Sequence, residues 1–347
     1  MDPPVTLLLP NRNNEPVLDL TLERLHRNTT YPNYELVVVD DGSTDGSRAV
    51  LRRWHDARRF QHMTVIEQEH RGVVDALNAG LAASTGELVV QLDGDATVET
   101  RGWLEPLVAF LRSDARVGVV TPLIVIDTGR IHACGVNMIG PDGLHDRGSR
   151  IVEPAGARQL HTRVERARPA DVPDLIGSPA EVDASIGACM LYPRALADEL
   201  GGYDRGFSPV WFDDLDLSLG ARRLGLKVFY VPGAEVVHRM SLRNSREGSS
   251  AAMRAAASAR RALGRVAPQA VKDTLVRMLP RPEFSPEQRA RLTHHYAYWR
   301  SKWGFDLLNP DMETLLARWG GTEVGWAYDP ARRSAGEAIA AGAVASN

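Results

Sequence analysis

Short apolar runs alternate with longer amphipathic stretches over the first 120 residues of the chain. Residues 5–9, 36–39, 64–66, 88–92 and 117–120 form continuous hydrophobic runs, the pattern of parallel strands buried on both faces. Between them, residues 15–27, 44–55, 73–83 and 102–111 carry apolar positions at helical spacing. Four strand-to-helix units in succession predict an α/β fold with a mostly parallel central sheet flanked by helices. Ligands of such sheets bind beyond the carboxyl ends of the strands, which is where "PNRNNE", "DDGSTD" and "DGDA" fall.

From about Pro122 to Glu181 the pattern dissolves into Gly, Pro, Asp and Arg, and "NMIGPDGLHDRGSR" reads as loops or a weak hairpin. Order returns with "SIGACMLYP", a helix over 214–224, and strands at "KVFYV" and "EVVH". Beyond Arg239 the composition shifts to Ala and Arg, which predicts helices over 249–264, 268–278 and 286–302 and a short one over 311–318. The expected organisation is a catalytic-type domain over 1–240, a helical extension over 241–330 and a disordered tail over 331–347.

Composition narrows the class. A chain of 347 residues with 44% hydrophobic and 24% charged residues buries a substantial core. The five-residue run between prolines near the N-terminus is too short for a signal-peptide core. No segment approaches the roughly 20 apolar residues that cross a bilayer. Cys134 and Cys189 make neither a disulfide framework nor a zinc pattern. The expected location is cytoplasmic.

The net charge of −3 hides an asymmetry. Between Arg239 and Lys302, fourteen Lys and Arg face four acids, so that stretch is +10 and the remainder −13. A solvated helical face explains this; so does a surface that meets an anionic or membrane-borne acceptor at the inner face of a membrane. Nucleic acid is not expected as a partner, because the rest of the chain repels it and no recognised binding motif accompanies the charge.

Three acidic clusters carry the candidate chemistry. In "ELVVVDDGSTDGS" a strand runs into Asp40 and Asp41; Ser43 or Thr44 suits a helix N-cap, and Asp41 is placed to accept hydrogen bonds from a base or ribose. No G-x-G-x-x-G follows the first strand, which argues against a dinucleotide site. In "VVQLDGDATV", Asp93 and Asp95 point the same way along an extended segment, with Gly94 allowing close backbone approach. A turn explains such a D-x-D; so does a hard divalent cation that bridges phosphates, which needs only one or two such carboxylates. In "WFDDLDLSLGARRLG", Asp213, Asp214 and Asp216 open a helix, where the dipole favours acids whatever their function. Beside Trp211 and Phe212 one carboxylate is placed for desolvation, which raises a pKa towards the range of a general base.

"TLLLPNRNNE", "YELVVVDDGSTDGS", "DALNAGLAASTGELVVQLDGDATV", "IGACMLYPR", "GGYDRGF" and "WFDDLDLSLGARRLGLKVFYVPGAEVVHR" occur in the order found in family 2 glycosyltransferases, and the chain resembles that family over about residues 4–240. The resemblance implies a GT-A fold and inverting transfer of a sugar from a nucleotide diphosphate donor to an acceptor hydroxyl. It implies a nucleotide-binding loop at Pro10, Asn11, Arg12 and Glu15, an acid at Asp41 for the base or ribose, and a D-x-D motif at Asp93, Gly94 and Asp95. Within that motif Asp95 is implied as the direct metal ligand, with Asp93 nearer the ribose. "WFDDLD" resembles the family's E-D-x-D segment, which makes Asp214 the implied base and puts Asp213 where glutamate is commoner. His238 resembles a histidine that in some GT-A enzymes completes the metal or diphosphate site; a structural histidine is the alternative. The implied cofactor is a divalent metal, Mn²⁺ or Mg²⁺, and UDP is the expected carrier. A catalytically inactive nucleotide-sugar-binding or scaffold protein and a nucleotidyltransferase are the competing readings.

Overall fold

The structure, a computed structural model, describes residues 2–139, 143–146, 149–151, 162–164, 168–171, 173–239, 286–305 and 307. The elements in chain order are β1 (Val5–Asn11), α1 (Glu15–Asn28), β2 (Tyr34–Asp41), α2 (Ser47–Asp56), β3 (Met63–Gln68), α3 (Val73–Ala83), β4 (Leu88–Leu92), β5 (Ala96–Val98) and α4 (Leu104–Leu111). After these come β6 (Val117–Ile126), β7 (Ile131–Ala133), β8 (Val136–Ile139), β9 (Gly143–Asp146), β10 (Ser149–Ile151), β11 (Thr162–Val164) and α5 (Pro173–Ile176). The last are β12 (Ala180–Val182), β13 (Cys189–Pro193), α6 (Arg194–Leu200), α7 (Asp213–Arg223), β14 (Lys227–His238) and α8 (Pro286–Trp303).

Ten strands form the central sheet in the order β12-β14-β6-β13-β4-β1-β2-β3, with β5 pairing β14 and β7 pairing β6. The run β4-β1-β2-β3 is parallel throughout, and β6 runs parallel to β14. Between those two parallel blocks β13 is antiparallel to both neighbours. The chain moves outward from β1 to β3 and then returns to place β4 on the other side of β1. That reversal opens a crevice between the carboxyl ends of β1 and β4, the position at which open α/β sheets bind ligands.

The continuous hydrophobic runs resolve into two faces. Leu7, Leu9, Leu36, Val38, Val90 and Leu92 pack with α1, α2 and α4, whereas Leu8, Val37, Val39 and Val89 pack with α3, α6 and α7. Burial on both sides removes the polar alternation a half-exposed strand would show. A third apolar cluster joins Phe207, Phe212, Leu215 and Leu219 to Trp299, Trp303 and Leu307, so α8 docks directly onto the start of α7.

Several elements depart from the sequence expectations. Helix α2 starts at Ser47 rather than residue 44, and neither Ser43 nor Thr44 caps it; Gly46 holds the cap position. Strand β6 continues through Pro122 to Ile126, because Leu123, Ile124, Val125 and Ile126 pair with the end of β14. The stretches "KVFYV" and "EVVH" are one strand with a register shift between Tyr230 and Glu235. The expected hairpin within 137–150 is present as β8–β9. The helices expected over 249–264, 268–278 and 311–318, the tail 331–347, and Arg243, Arg246 and Arg254 lie outside the described residues. Among the described residues no helix is long and apolar enough to cross a membrane.

Candidate active site

Two loops beyond β1 and β2 are zipped together by side chains. Asn11 Nδ2 donates to Asp40 Oδ1 at 3.0 Å, and Asp40, fully buried, also accepts from the Ser43 N–H at 3.1 Å and from Arg48 Nε at 2.8 Å. The Asn13 carboxamide oxygen accepts from the Thr44 N–H at 2.8 Å, and Asp45 Oδ2 accepts from the Glu15 N–H at 3.0 Å. Ser43 and Thr44 thus engage the first loop, which is why they do not cap α2 in the expected way. Asn11 is buried, Arg12 is half-buried and Glu15 is exposed, so this loop presents a mixed charged edge at the crevice.

The acidic turn after β4 sits against the same loop. A Cβ placed on Gly94 would lie 2.7 Å from Asn14 Nδ2 and 3.0 Å from the Pro10 carbonyl oxygen, so only glycine lets the turn pass. On its other side β5 pairs antiparallel with the end of β14, setting His238 opposite Ala96. That register brings the imidazole to the acids: His238 Nε2 lies 3.2 Å from Asp95 Oδ1 and 3.5 Å from Asp93 Oδ2. One ligand atom from each of the three residues falls within 4.8 Å of the others. Two carboxylates and an imidazole at this spacing are a donor set that fits a divalent cation, with Asp95 and His238 the more buried ligands.

Behind this trio stands a residue that sequence reasoning passed over. The His132 ring centroid is 5.5 Å from that of His238. Burial, reinforced by the neighbouring His238, pushes its pKa down to about 3, so it packs as a neutral ring. Its position is set by β7 folding back on β6, a pairing with no signal in the local pattern.

Helix α7 supplies the opposite wall. Trp211 and Phe212 precede it with φ of 82° and 70°, a left-handed pair that is costly for bulky residues and clusters at functional sites. Asp214 Oδ2 accepts from the Gly187 N–H at 2.7 Å and Oδ1 from the Leu215 N–H at 2.8 Å. The next residue, Ala188, accepts from the Asp93 N–H at 3.2 Å. Two consecutive residues leading into β13 therefore tie the D-x-D turn to the acid on α7.

Burial raises the pKa of Asp214, and its backbone donors oppose that shift. Asp213 is raised well above its ordinary value by burial and by the neighbouring Asp214 charge. Two adjacent buried carboxyls resist ionising together, and the two backbone donors to Asp214 favour the charge there.

Asp216 faces away from this pair. Its Oδ2 accepts from Lys302 Nζ at 2.8 Å and its Oδ1 from Trp303 Nε1 at 2.9 Å, while Lys302 also donates to Asp204 Oδ2 at 2.6 Å. Asp41 likewise lies away from the trio, at the end of β2, and among the described residues its oxygens accept from the end of β3 and the loop after it. The structure brings together Pro10, Asn11, Asp93, Gly94, Asp95 and His238, links them to Asp214, and leaves Asp41 two strands out.

The central sheet and its flanking helices have the GT-A fold of glycosyltransferases. Residues 6–161 match the family model for glycosyl transferase family 2. The chain is 28% identical over 256 residues to the uncharacterized protein y4gI of Sinorhizobium fredii, covering 71% of this chain and 25% of the relative. It is 26% identical over 243 residues to the O-antigen biosynthesis protein RfbC of Myxococcus xanthus, covering 69% of this chain and 17% of the relative. The chain thus spans a quarter or less of the length of these curated relatives. Among solved structures, the mannosyltransferase PcManGT from Pyrobaculum calidifontis in complex with GDP-Man and Mn²⁺ superposes with a TM-score of 0.51 at 23% identity, over 99% of this chain and 79% of that one. GalNAc-T7 with UDP, GalNAc and Mn²⁺ gives 0.50 at 19% identity, over 87% and 56%. These likenesses show the fold.

Proposed function

We propose that the protein transfers a sugar from a nucleoside diphosphate donor to an acceptor hydroxyl with inversion, using a divalent metal and Asp214 as the base. The observation that carries this reading is the Gly187–Ala188 link, which sets the acid on α7 against the acidic turn at the switch point of the sheet. Asp93, Asp95 and His238 would hold the ion, and their mixed oxygen and nitrogen set favours Mn²⁺ over Mg²⁺, which prefers oxygen ligands. When bound, such an ion supplies positive charge against the diphosphate that leaves. Pro10, Asn11, Arg12 and Glu15 border the nucleotide side.

The chain's own part of the reaction follows from the two acids. The acceptor oxygen attacks the anomeric carbon as the bond to the diphosphate breaks and its electron pair departs with the leaving group. Asp214 takes the acceptor proton. The sugar passes through an oxocarbenium-like state comparable to that of glycosidases, and displacement from the opposite face inverts the anomeric centre. UDP is the carrier we put first. Trp211 precedes Asp214 by three residues, and the Arg291 guanidinium lies 5.8 Å from its indole centroid; the two would border the acceptor.

Incubating the protein with UDP-, GDP- and dTDP-sugars and Mn²⁺ tests this. Donor turnover that Asp214→Asn removes, with inverted stereochemistry of the product by NMR, is the expected result. Nucleotide binding without turnover under any acceptor would instead mark a binding protein, and tighter binding of a nucleoside triphosphate than of any diphosphate sugar would mark a nucleotidyltransferase.

A further inference from the structure

Helix α8 grips the run of chain that leads into α7. Asp204 Oδ2 accepts from Tyr298 OH at 2.9 Å and from Lys302 Nζ at 2.6 Å, and a Cβ on Gly206 would overlap the Tyr298 ring. His295 Nε2 lies 3.2 Å from the Ser208 carbonyl oxygen, which can only accept, so this nitrogen carries a hydrogen. Past the Trp211–Phe212 pair, Asp216 takes Lys302 and Trp303 on its two oxygens. One helix thus ties down the chain on both sides of that pair.

Between these ties the backbone adopts a conformation it would not hold alone. Trp211 and Phe212 have φ of 82° and 70°, and bulky residues stay left-handed only where their surroundings over-determine them. For Phe212 those surroundings are rings. Its centroid lies 5.2 Å from that of Tyr296, 5.9 Å from His295 and 6.1 Å from Trp299, all on α8, and 6.1 Å from Phe207. Phe212 is buried among them. Its carbonyl accepts from the Asp216 N–H at 2.8 Å, the first hydrogen bond of α7, so its backbone sets the direction in which the helix starts. Asp214 stands in that first turn.

We propose that α8 braces the base: its ring face holds Phe212 left-handed, and Phe212 in turn aims Asp214 at the acceptor proton. This rests on the reading of Asp214 as the base. Phe212 and Tyr296 are positioning residues that act through Asp214. The Gly187 N–H steadies the carboxylate from the β13 side, while α8 steadies the backbone that carries it. The helix lies well past His238, where the resemblance ends, so the geometry of the base depends on a part of the chain that none of the six motifs includes.

Steady-state turnover by the full chain of its best UDP-, GDP- or dTDP-sugar with Mn²⁺ and water as acceptor, beside calorimetry with the matching nucleoside diphosphate, tests the brace. Phe212→Ala removes the ring and keeps the cost of a left-handed Cβ; its kcat is expected to fall about 10²-fold, the cost of slightly misplacing a catalytic group, with nucleotide affinity unchanged. Phe212→Gly removes still more but adopts that conformation freely, so it should recover several-fold over Phe212→Ala. Tyr296→Ala should lower kcat about tenfold, and Tyr296→Phe, which keeps the ring, should restore most of it. A residue that only packs would leave Phe212→Gly no better than Phe212→Ala. That result, wild-type kcat in Phe212→Ala or Tyr296→Ala, or an equal fall in kcat and nucleotide affinity overturns the brace and leaves the base reading standing. Full turnover in Asp214→Asn, or none in the wild type, removes the base reading and this inference with it.

Discussion

Gly187 donates its backbone N–H to Asp214 Oδ2 at 2.7 Å, and this contact places the proposed base. A Cβ on Gly187 would lie 2.6 Å from Gln91 Nε2 and 3.5 Å from Asp214 Oδ2. Gln91 does not have room to yield, because its Oε1 accepts from Tyr203 OH at 2.6 Å and that hydroxyl meets Tyr192 OH at 2.8 Å, all within the buried core. Gly187→Ala is therefore expected to move the 187–188 segment and lower kcat by about 10²-fold, since small misplacement of a catalytic group carries that cost. Donor affinity measured by calorimetry should change little. Wild-type kcat in this variant would show that the link does not position Asp214.

Asp214→Asn is expected to lower the rate by roughly 10² to 10⁴, the usual worth of a general base, with donor affinity nearly intact. Asp213→Asn copies the uncharged form that burial favours for Asp213 and should cost only a few-fold. A larger loss in Asp213→Asn would move the base one residue earlier in the chain.

The same pair sets the pH profile. Asp214 works as a base only when ionised, and burial raises its pKa above the ordinary value. Activity should therefore fall with decreasing pH before the range of an ordinary aspartate, near 3.9, is reached. An acid limb at the ordinary carboxylate value would contradict the desolvated setting of Asp214.

Asp95→Ala should reduce the affinity for UDP with Mn²⁺ to the level seen with EDTA, because the most buried ligand oxygen is lost. His238→Ala should keep binding and demand a higher Mn²⁺ concentration. Titration calorimetry at several metal concentrations separates the two. A nucleotide affinity that ignores both substitutions would leave the trio a structural cluster.

Much of this was legible in local sequence. Strands β1 to β4, helices α1 and α3, and the convergence of Asp93 with Asp95 follow from patterns a few residues long. The insertion of β13 antiparallel between β4 and β6 left no such trace, since strand partners are chosen across about 70 to 100 residues of chain. His132 was invisible because only the folded sheet sets it against His238. Asp41 ends its strand as the pattern expects, but its four donors come from a segment about 30 residues on that no local pattern ties to it. Lys302 lay within a basic stretch read as one surface, yet it is drawn in by Asp204 and Asp216.

That half-buried bridge makes a stability prediction. Burial raises Asp216 from 3.8 to about 6, against the pull of Lys302. Between those two values the unfolded chain ionises this carboxyl while the folded chain keeps it protonated, so its contribution to stability falls across that window and stays low above it. Lys302 limits that loss. Lys302→Met should destabilise the protein by about 2 kcal/mol in alkaline buffer and by much less near pH 5, read from urea midpoints. Equal destabilisation at both pH values would make the role of Lys302 one of packing.

The proposed acceptor side turns on Trp211. Its backbone is held at φ 82°, its ring lies beneath the Arg291 guanidinium, and the chain reaches Asp214 three residues later. Arg291 is the part of the +10 stretch that the described residues bring to this edge, as Arg243, Arg246 and Arg254 lie outside them. An aromatic face and a cation beside the proposed base suit an acceptor that carries both an apolar or sugar surface and negative charge. Trp211→Ala should raise the acceptor KM by about tenfold and reduce donor hydrolysis far less, with Trp211→Phe recovering part of the loss. Arg291→Gln should weaken use of a phosphate-bearing acceptor more than of a neutral one, and added salt should reproduce that difference in the wild type, because exposed charges are screened within roughly 10 Å at 0.1 M. Equal losses of transfer and hydrolysis in Trp211→Ala would assign the residue to the packing of α8 onto α7, and a salt response shared by both acceptors would remove the electrostatic role of Arg291.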